Sequence, residues 1–222
     1  MPKKKLIHFQ ENLTFPFLFQ FRYHELRNDF SLKGCWNEKF FGNHNPVILE
    51  LGCGKGECTV GLAKAYPDKN FIGIDVKGAR LWRGCRTIKE EKLGNAAFIR
   101  SQVDHIEYYF APGEISEIWI TFPDPQPGKE RKRLTSPRFL WKYQRIMKPG
   151  GIIYLKTDNR KFYDFTLKVV NDNGHKLGYK TDDLYHSGTA EDVIKFQTYY
   201  EQMWLGMGKK ICYLRFSLQD SK

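Results

Sequence analysis

The stretch Val47-Ile48-Leu49-Glu50-Leu51-Gly52-Cys53-Gly54-Lys55-Gly56 decides the fold. Its first five residues are apolar apart from Glu50, which is typical of a short strand buried in a parallel sheet. The glycines that follow allow a tight turn and a close approach of the backbone to a ligand. A helical stretch, 59–65, comes next, so the pattern predicts a strand, a glycine loop and a helix in that order.

The same alternation of strand and helix continues along the chain. The predicted strands are 47–51, 71–75, 97–99, 115–122, 152–155 and 210–217, and the predicted helices are 59–65, 79–93, 137–147 and 162–170. Strands that alternate with helices of this length predict βαβ units. We therefore expect an α/β fold of the Rossmann-like, doubly wound kind, with a mostly parallel sheet and helices on both faces.

Residues 1–45 lack this rhythm and are rich in aromatic side chains. We predict that they form an N-terminal appendage and that residues 46–222 form the domain that carries the fold.

Composition limits the classes of function. The 222 residues include 36 Lys and Arg against 25 Asp and Glu, a net charge of +11, which favours a polyanionic partner. An uncharged apolar stretch of membrane-spanning length is missing, and the basic N-terminus lacks the apolar core of a secretory signal. We predict a cytoplasmic protein that does not bind membranes. Five cysteines without a C-x-x-C pair argue against a disulfide framework or a metal site.

The glycine loop has the spacing G-x-G-x-G, whereas the dinucleotide fingerprint is G-x-G-x-x-G. An acid at the end of the strand, Glu50, would repel a pyrophosphate but attract a cation. S-adenosylmethionine carries a sulfonium and an ammonium group and no phosphate. We therefore predict that Glu50 binds the methionine end of this cofactor, beside Gly52, Gly54 and Gly56.

Two further strand ends complete the predicted cofactor site. Asp75 ends the second strand, where an acid can accept hydrogen bonds from both ribose hydroxyls. The third strand should end near the adenine, and either Gln102 or Asp104 could accept a hydrogen bond from its amino group.

The fourth strand ends in Phe122-Pro123-Asp124-Pro125. Ligands of open α/β sheets bind outside the carboxyl ends of the strands, so we expect Asp124 at the mouth of the site. A basic stretch, 129–148, follows and favours contacts with phosphates. The predicted phosphate contacts are Arg131, Lys132, Arg133 and Arg138. The basic residues 77, 80, 83 and 86 either extend this patch or form an ordinary salt-bridged surface.

Near the C-terminus, Thr198-Tyr199-Tyr200-Glu201 has the pattern of a helix start. Thr198 suits the N-cap position and Glu201 the third helical position, which together form a capping box.

Together these residues resemble the bacterial-type tRNA (guanine-N7)-methyltransferase family, from about residue 46 to residue 201. The most specific pieces are 49–56, 71–75 and 122–125, and 156–158 and 198–201 also match. The Pro-Asp-Pro element distinguishes this family from other Rossmann-like methyltransferases. The resemblance implies a class I methyltransferase domain over 46–222 and a guanosine in the variable loop of tRNA as the methyl acceptor.

The resemblance also implies roles for individual residues. Cofactor binding would involve Glu50, Asp75, Asp124 and an acid near the end of the third strand, where this chain offers Gln102 or Asp104. Substrate binding would involve Asp158, a lysine after Pro-Asp-Pro, and the cluster Thr198, Tyr199, Tyr200 and Glu201. The family's lysine lies four residues after the acid, where this chain has Gly128, so Lys129 is the candidate.

Guanine N7 has an exposed lone pair and no proton, so it can attack the methyl group without a strong base. Positive charge then moves into the guanine ring, and Asp124 first and Asp158 second would stabilise it. Asp158 or Glu201 could instead hold the guanine N1–H and amino group. We expect a monomer or homodimer without an obligate protein partner.

Two other hypotheses remain open, each from a different class. One is a methyltransferase that acts on another RNA base, although adenine-amine enzymes carry an Asp/Asn-Pro-Pro-aromatic order that this chain lacks. The other is a non-catalytic RNA-binding protein with a relict cofactor site.

Overall fold

A computed structural model describes residues 3–21, 30–188, 191–194 and 197–219, and an eight-stranded sheet forms the centre of this part. The strands are β1 (Leu18–Gln20), β2 (Val47–Leu51), β3 (Asn70–Asp75), β4 (Ala96–Arg100), β5 (Ile115–Thr121), β6 (Met147–Thr157), β7 (Lys176–Thr181) and β8 (Cys212–Ser217). Their order is β1-β4-β3-β2-β5-β6-β8-β7. The pairs from β1 to β6 are parallel, and β8 is antiparallel to β6 and β7. The predicted mostly parallel sheet is confirmed.

The α-helices of the described residues are α1 (Lys3–Asn12), α2 (Glu57–Ala65), α3 (Gly78–Glu91), α4 (Ile106–Tyr109), α5 (Pro137–Ile146), α6 (Arg160–Asp172), α7 (Glu191–Ile194) and α8 (Tyr199–Gly206). Local sequence explains several of their starts. Pro137 occupies the first turn of α5, where its missing N–H has no cost. The Asn159 side chain caps α6 by accepting a hydrogen bond from the backbone N–H of Phe162 at 2.9 Å.

Helices cover both faces of the sheet, as predicted. Side chains of a strand alternate between the two faces, so neighbouring residues of one strand pack against different helices. Leu49 of β2 packs in the apolar layer that contains α5 and α6. Ile48, its neighbour, packs in the layer that contains α2 and α3. The sheet is therefore buried on both sides, which explains its near-continuous apolar strands.

The sheet reverses its connection order between β2 and β5, which are adjacent. From β2 the chain passes through α2 to β3 on one side, and from β5 it passes through α5 to β6 on the other side. The loops after β2 and β5 therefore diverge and leave a crevice at the carboxyl ends of these strands.

The N-terminal segment joins this fold through an edge strand and an aromatic cluster. Strand β1 pairs with β4 in parallel. Trp36 is fully buried, contacts Phe19 and Phe40 edge-on, and donates a hydrogen bond from its indole N–H to the Tyr109 carbonyl at 3.0 Å. The division at residue 45 stays a prediction, and the described part of residues 1–45 contributes to the common core.

Candidate active site

A cleft lies at the carboxyl ends of β2 and β5. Its walls come from the glycine loop, the start of α3, the end of β5 and the start of α8. The lining residues are Glu50, Gly52, Cys53, Gly54, Lys55, Glu57, Arg80, Thr121, Phe122, Thr198, Tyr199 and Tyr200. The fold thus brings the two ends of the predicted site, which are about 150 residues apart in sequence, into one cavity.

The glycine loop has a backbone that only glycine adopts easily. Gly52, Gly54 and Gly56 have φ angles of 72°, 58° and 73°, in the left-handed region. A Cβ atom at Gly56 would lie 2.3 Å from the Phe98 ring, whereas a Cβ at Gly54 would meet no atom within 4 Å. Gly56 therefore allows close packing of the loop on the sheet, and Gly54 leaves its backbone open to the cleft.

Glu50 is buried at the floor of the cleft and accepts hydrogen bonds from two threonines. One carboxylate oxygen accepts from the Thr59 backbone N–H at 2.8 Å and from the Thr59 hydroxyl, and the other accepts from the Thr121 hydroxyl at 2.7 Å. Burial raises the pKa of Glu50 to about 7, although these hydrogen bonds oppose the shift. A cation bound beside this carboxylate would favour its charged form.

Asp75 lies at the end of β3 and is linked to the glycine loop. Its carboxylate accepts hydrogen bonds from the backbone N–H of Gly54 at 2.9 Å and of Lys77 at 2.7 Å. These contacts use part of its acceptor capacity, so further donors can still bind the carboxylate.

The loop after β5 contains two strained backbone positions. Phe122 and Gln126 have φ angles of 47° and 48°, which are rare for residues other than glycine. The Phe122 N–H donates to the Lys156 carbonyl at 2.8 Å and thereby ties the loop to β6. Asp124 is exposed two residues beyond the cleft-lining Phe122, and it accepts a hydrogen bond from the Gln126 N–H at 3.0 Å. Such strain is common at functional sites.

Helix α8 begins with the capping box that the sequence predicts. The Thr198 side chain accepts from the Glu201 N–H at 3.2 Å, and the Glu201 carboxylate accepts from the Thr198 N–H at 3.3 Å. Two contacts join this helix start to the first residue of α2 and to the loop before it. The Tyr199 N–H donates to the Glu57 carboxylate at 2.7 Å, and the Lys55 ammonium lies 4.7 Å from the Tyr199 ring centroid.

Glu201 itself is fully buried in an ionic network below the cleft. Its carboxylate pairs with the Lys156 ammonium at 2.5 Å and accepts a hydrogen bond from the Tyr185 hydroxyl at 2.7 Å. Lys156, at the end of β6, also donates to the Val193 carbonyl at 3.0 Å. In this network the Glu201 carboxylate supports the turn that carries Thr198, Tyr199 and Tyr200, and its contact with substrate stays a prediction.

Gly56, Asp75 and Asp124 lie next to residues that line the cleft without lining it themselves, and the remaining predicted cofactor and substrate residues also lie outside its lining. Gln102 is exposed and Asp104 pairs with Arg138. Asp158 follows β6 and pairs with the Lys209 ammonium at 3.1 Å. Lys129 is exposed on the loop after β5.

The predicted phosphate contacts occupy different environments. Arg131 and Lys132 are exposed, in keeping with such a role. Arg133 is buried instead: its guanidinium donates to the Pro125 carbonyl at 3.0 Å, pairs with Glu130 at 3.1 Å and lies 4.4 Å from the Phe165 ring centroid. The phosphate contact of Arg133 stays a prediction, and the loop would have to open before its buried guanidinium could reach a phosphate.

Several residues of the site were not singled out from the sequence. Thr121 and Thr59 orient Glu50, and Lys156 and Tyr185 hold Glu201. Thr121 and Lys156 gave no distinctive signal at their strand ends, because their partners, Glu50 and Glu201, lie far away along the chain. Lys156 was visible only as part of the matching 156–158 segment.

The donor set of the cleft fits a cationic, ribose-containing cofactor. Glu50 offers a buried carboxylate at the floor, Asp75 offers acceptors beside the glycine loop, and Gly54 leaves room for close approach. An anionic pyrophosphate would meet Glu50 at the position where a dinucleotide site needs free backbone donors.

The order of the sheet, the glycine loop after β2 and the acids at the ends of β2 and β3 define a class I methyltransferase. A family model described as "Putative methyltransferase" matches residues 44–214. The chain is 50% identical to the tRNA (guanine-N(7)-)-methyltransferase of Christiangramia forsetii, over 98% of this chain and 99% of that protein. It is 45% identical to the enzyme of the same name from Bacteroides thetaiotaomicron (98% and 87%) and 35% identical to that of Bacillus subtilis (84% and 86%). The chain belongs to the tRNA (guanine-N7)-methyltransferase family.

Solved structures support the fold. The 16S rRNA methyltransferase KamB superposes with a TM-score of 0.64 at 14% identity, covering 82% of this chain and 92% of that one. The 16S rRNA (adenine(1408)-N(1))-methyltransferase from Catenulisporales acidiphilia, solved with its cosubstrate SAM, gives 0.59 at 12% identity, over 83% and 90%. Within the described residues, no helix is long and apolar enough to cross a membrane, and no cluster of three or more His, Cys, Asp or Glu could hold a metal ion.

Proposed function

We propose that this protein transfers the methyl group of S-adenosylmethionine to N7 of a guanosine in the variable loop of tRNA. The observation that carries the proposal is the shared cleft in which Glu50 and the glycine loop face Thr198, Tyr199 and Tyr200. One side of this cleft has the chemistry for a cationic cofactor, and the other offers aromatic and polar groups for a base. Family membership points to the same reaction.

In this proposal Glu50 and the open backbone at Gly54 hold the methionine end of the cofactor, and Asp75 binds the ribose. Gln102 or Asp104 meets the adenine, and the Asp104 carboxylate must then share its charge with Arg138. The cofactor supplies an electrophilic methyl group on a sulfonium. The chain itself has to bind the cofactor and the guanosine and to align the methyl group with N7.

The acceptor guanine needs orientation and charge stabilisation more than a base, because N7 carries no proton. Tyr199 and Tyr200 are partly exposed at the cleft and offer ring faces against which a base can stack. Asp124 stabilises the positive charge that develops on the guanine, and Asp158 is the second candidate for this role. Asp158, rather than the buried Glu201, is then the candidate that holds the guanine N1–H and amino group.

The remaining assignments complete the proposal. Lys129, Arg131, Lys132 and Arg138 would contact substrate or its phosphates, residues 46–222 would form the catalytic domain, and residues 1–45 the appendage. We also propose a cytoplasmic location and a monomer or homodimer that works without another protein.

The test is to incubate the purified protein with an unmodified tRNA transcript and methyl-labelled S-adenosylmethionine and to map the label. Borohydride reduction followed by aniline breaks the chain at 7-methylguanosine. A single cut in the variable loop is the expected result. Label on an exocyclic amine would contradict the acceptor assignment, and no label together with no binding of S-adenosylmethionine would contradict the proposed reaction.

A further inference from the structure

Four cations lie on one side of the cleft. Lys55 from the glycine loop and Arg80 from α3 line the cleft itself. Lys77 directly precedes α3, and Arg83 lies one turn after Arg80. All four side chains are exposed, and within the described part of the chain none of them forms an ion pair with an acid. We name these four residues the α3 cation surface.

The members of this surface are close together. Residues three apart on a helix are neighbours on successive turns, which applies to Arg80 and Arg83. A Cβ atom at Gly84 would lie 2.8 Å from the Lys55 carbonyl oxygen, so the glycine loop packs directly on α3. The bordering acids, Glu57 and Asp75, accept hydrogen bonds from backbone N–H groups, and among the described residues neither forms an ion pair with one of these four cations.

The basic residues of α5 differ because Arg138, Lys142 and Arg145 each form an ion pair with an acid. Arg138 pairs with Asp104, and Lys142 and Arg145 both pair with Glu107, at 2.6 Å and 2.7 Å. Helix α5 also leads back to the start of β6. Arg145, in its last turn, therefore lies toward the amino ends of the parallel strands, whereas the cleft lies at their carboxyl ends. A phosphate would have to displace Glu107 to bind there.

A second set of exposed cations follows β5, at Lys129, Arg131 and Lys132. Strands β3 and β5 lie on opposite sides of β2 in the sheet. The loop after β5 and the α3 cation surface therefore stand on opposite sides of the cleft that opens at the end of β2.

We propose that the RNA strand crosses the cleft, with the α3 cation surface binding its phosphates on one side of the target guanosine and residues 129–132 binding them on the other. This inference rests on the proposed function and extends it to the path of the substrate. A nucleotide whose base enters a pocket leaves its two neighbours outside, and their phosphates then lie on both sides of the entrance. Exposed cations at both positions match that arrangement, since counterion release drives such binding.

The test compares two double variants of the full chain with equal loss of charge. The first is Lys77→Gln with Arg83→Gln, which removes two members of the α3 cation surface that do not line the cleft. The control is Lys142→Gln with Arg145→Gln on α5. Affinity for an unmodified tRNA transcript is measured between about 50 and 200 mM salt, a range in which phosphate contacts change binding strongly.

We expect the first variant to bind tRNA about tenfold more weakly and to lower the slope of log affinity against log salt by about 1.5, since each phosphate contact contributes about 0.7–0.9. The control should stay within about twofold of the parent, and calorimetry should show parent-like binding of S-adenosylmethionine by both. Parent-like tRNA affinity and slope in the first variant, or an equal loss in the control, would overturn the inference. A parent protein that binds tRNA but forms no 7-methylguanosine would contradict the proposed function alone, because the comparison of binding does not depend on turnover.

Discussion

Single residues of the cleft combine burial with charge, and Glu50 is the clearest example. Its carboxylate has left water, yet two threonines supply three hydrogen bonds to it. These hydrogen bonds do not fully compensate for the lost hydration, and burial raises the pKa of Glu50 to about 7. A group of this kind is ready to release a proton when a cation arrives, which is useful at the methionine end of the proposed cofactor.

The raised pKa of Glu50 predicts a pH dependence of stability. Between about pH 4.5 and 7 the unfolded carboxyl is ionised while the folded one keeps its proton. The folded state then binds more protons, so the free energy of unfolding falls as the pH rises through this window and levels off above it. The loss is on the order of 3 kcal/mol, since one pKa unit corresponds to about 1.36 kcal/mol.

Urea unfolding of the parent and of Glu50→Gln between pH 5 and pH 8 measures this effect. The amide does not titrate, so the variant should lose this part of the pH dependence. An equally steep fall in both proteins would show that other groups cause it.

Asp124→Ala should abolish most of the turnover, by about a hundredfold or more, because a carboxylate beside a developing positive charge acts mainly in the transition state. Asp124 is exposed, and its carboxylate accepts a hydrogen bond from a backbone N–H within its own turn. The fold should therefore survive, as circular dichroism and the melting temperature can verify. A folded variant that methylates tRNA at the parent rate would refute the role of Asp124.

At the scale of elements, α8 depends on a contact with the sheet. The Lys156–Glu201 pair joins the end of β6 to the first turn of α8, and the Tyr185 hydroxyl completes it. The same turn carries Thr198, Tyr199 and Tyr200 to the cleft. The position of these three residues thus depends on a buried ion pair outside the lining of the cleft.

Lys156→Met should destabilise the protein by about 3–5 kcal/mol, because it leaves the buried Glu201 charge without its cationic partner. Lys156→Met combined with Glu201→Gln removes that charge and should regain part of the loss. Denaturant unfolding of both variants measures the difference. A single variant that is no less stable than the double one would contradict this account of the network.

Element prediction succeeded where a strand is buried on both faces and failed where it is short or half-exposed. Strands β2 to β5 have continuous apolar runs and were predicted within two residues of their bounds. Strand β1 has only three residues, and β7 alternates between exposed and partly buried positions without an apolar run. Both lie at the edges of the sheet, where each strand forms backbone hydrogen bonds with a neighbouring strand on one side only.

At the scale of the whole molecule, the two halves of the sheet meet at the cleft, so a ligand there bridges them. The loops after β2 and β5 both line it, together with the start of α8. A ligand that binds the folded state alone stabilises the whole chain by mass action.

S-adenosylmethionine should therefore raise the melting temperature, with a stabilisation of about 2.7 kcal/mol at a concentration one hundred times its Kd. The matched control is Glu50→Gln, which lacks the negative charge that would hold the cationic end and should show a smaller shift. A thermal shift titration of both proteins is sufficient. Equal shifts in the two proteins would show that Glu50 contributes nothing to the binding.

The order of strand, glycine loop and helix, and the acids at the strand ends, followed from the sequence alone, because each depends on residues within a few positions of one another. The capping box of α8 is local in the same sense. The tertiary structure decided which charges are free. Glu201 is neutralised by Lys156, Asp104 by Arg138, and Arg133 is buried, whereas Arg80 and Arg83 remain unpaired by any acid of the described residues. Ion pairing depends on distances through space between residues far apart in the chain, and no local pattern in a single sequence specifies those distances.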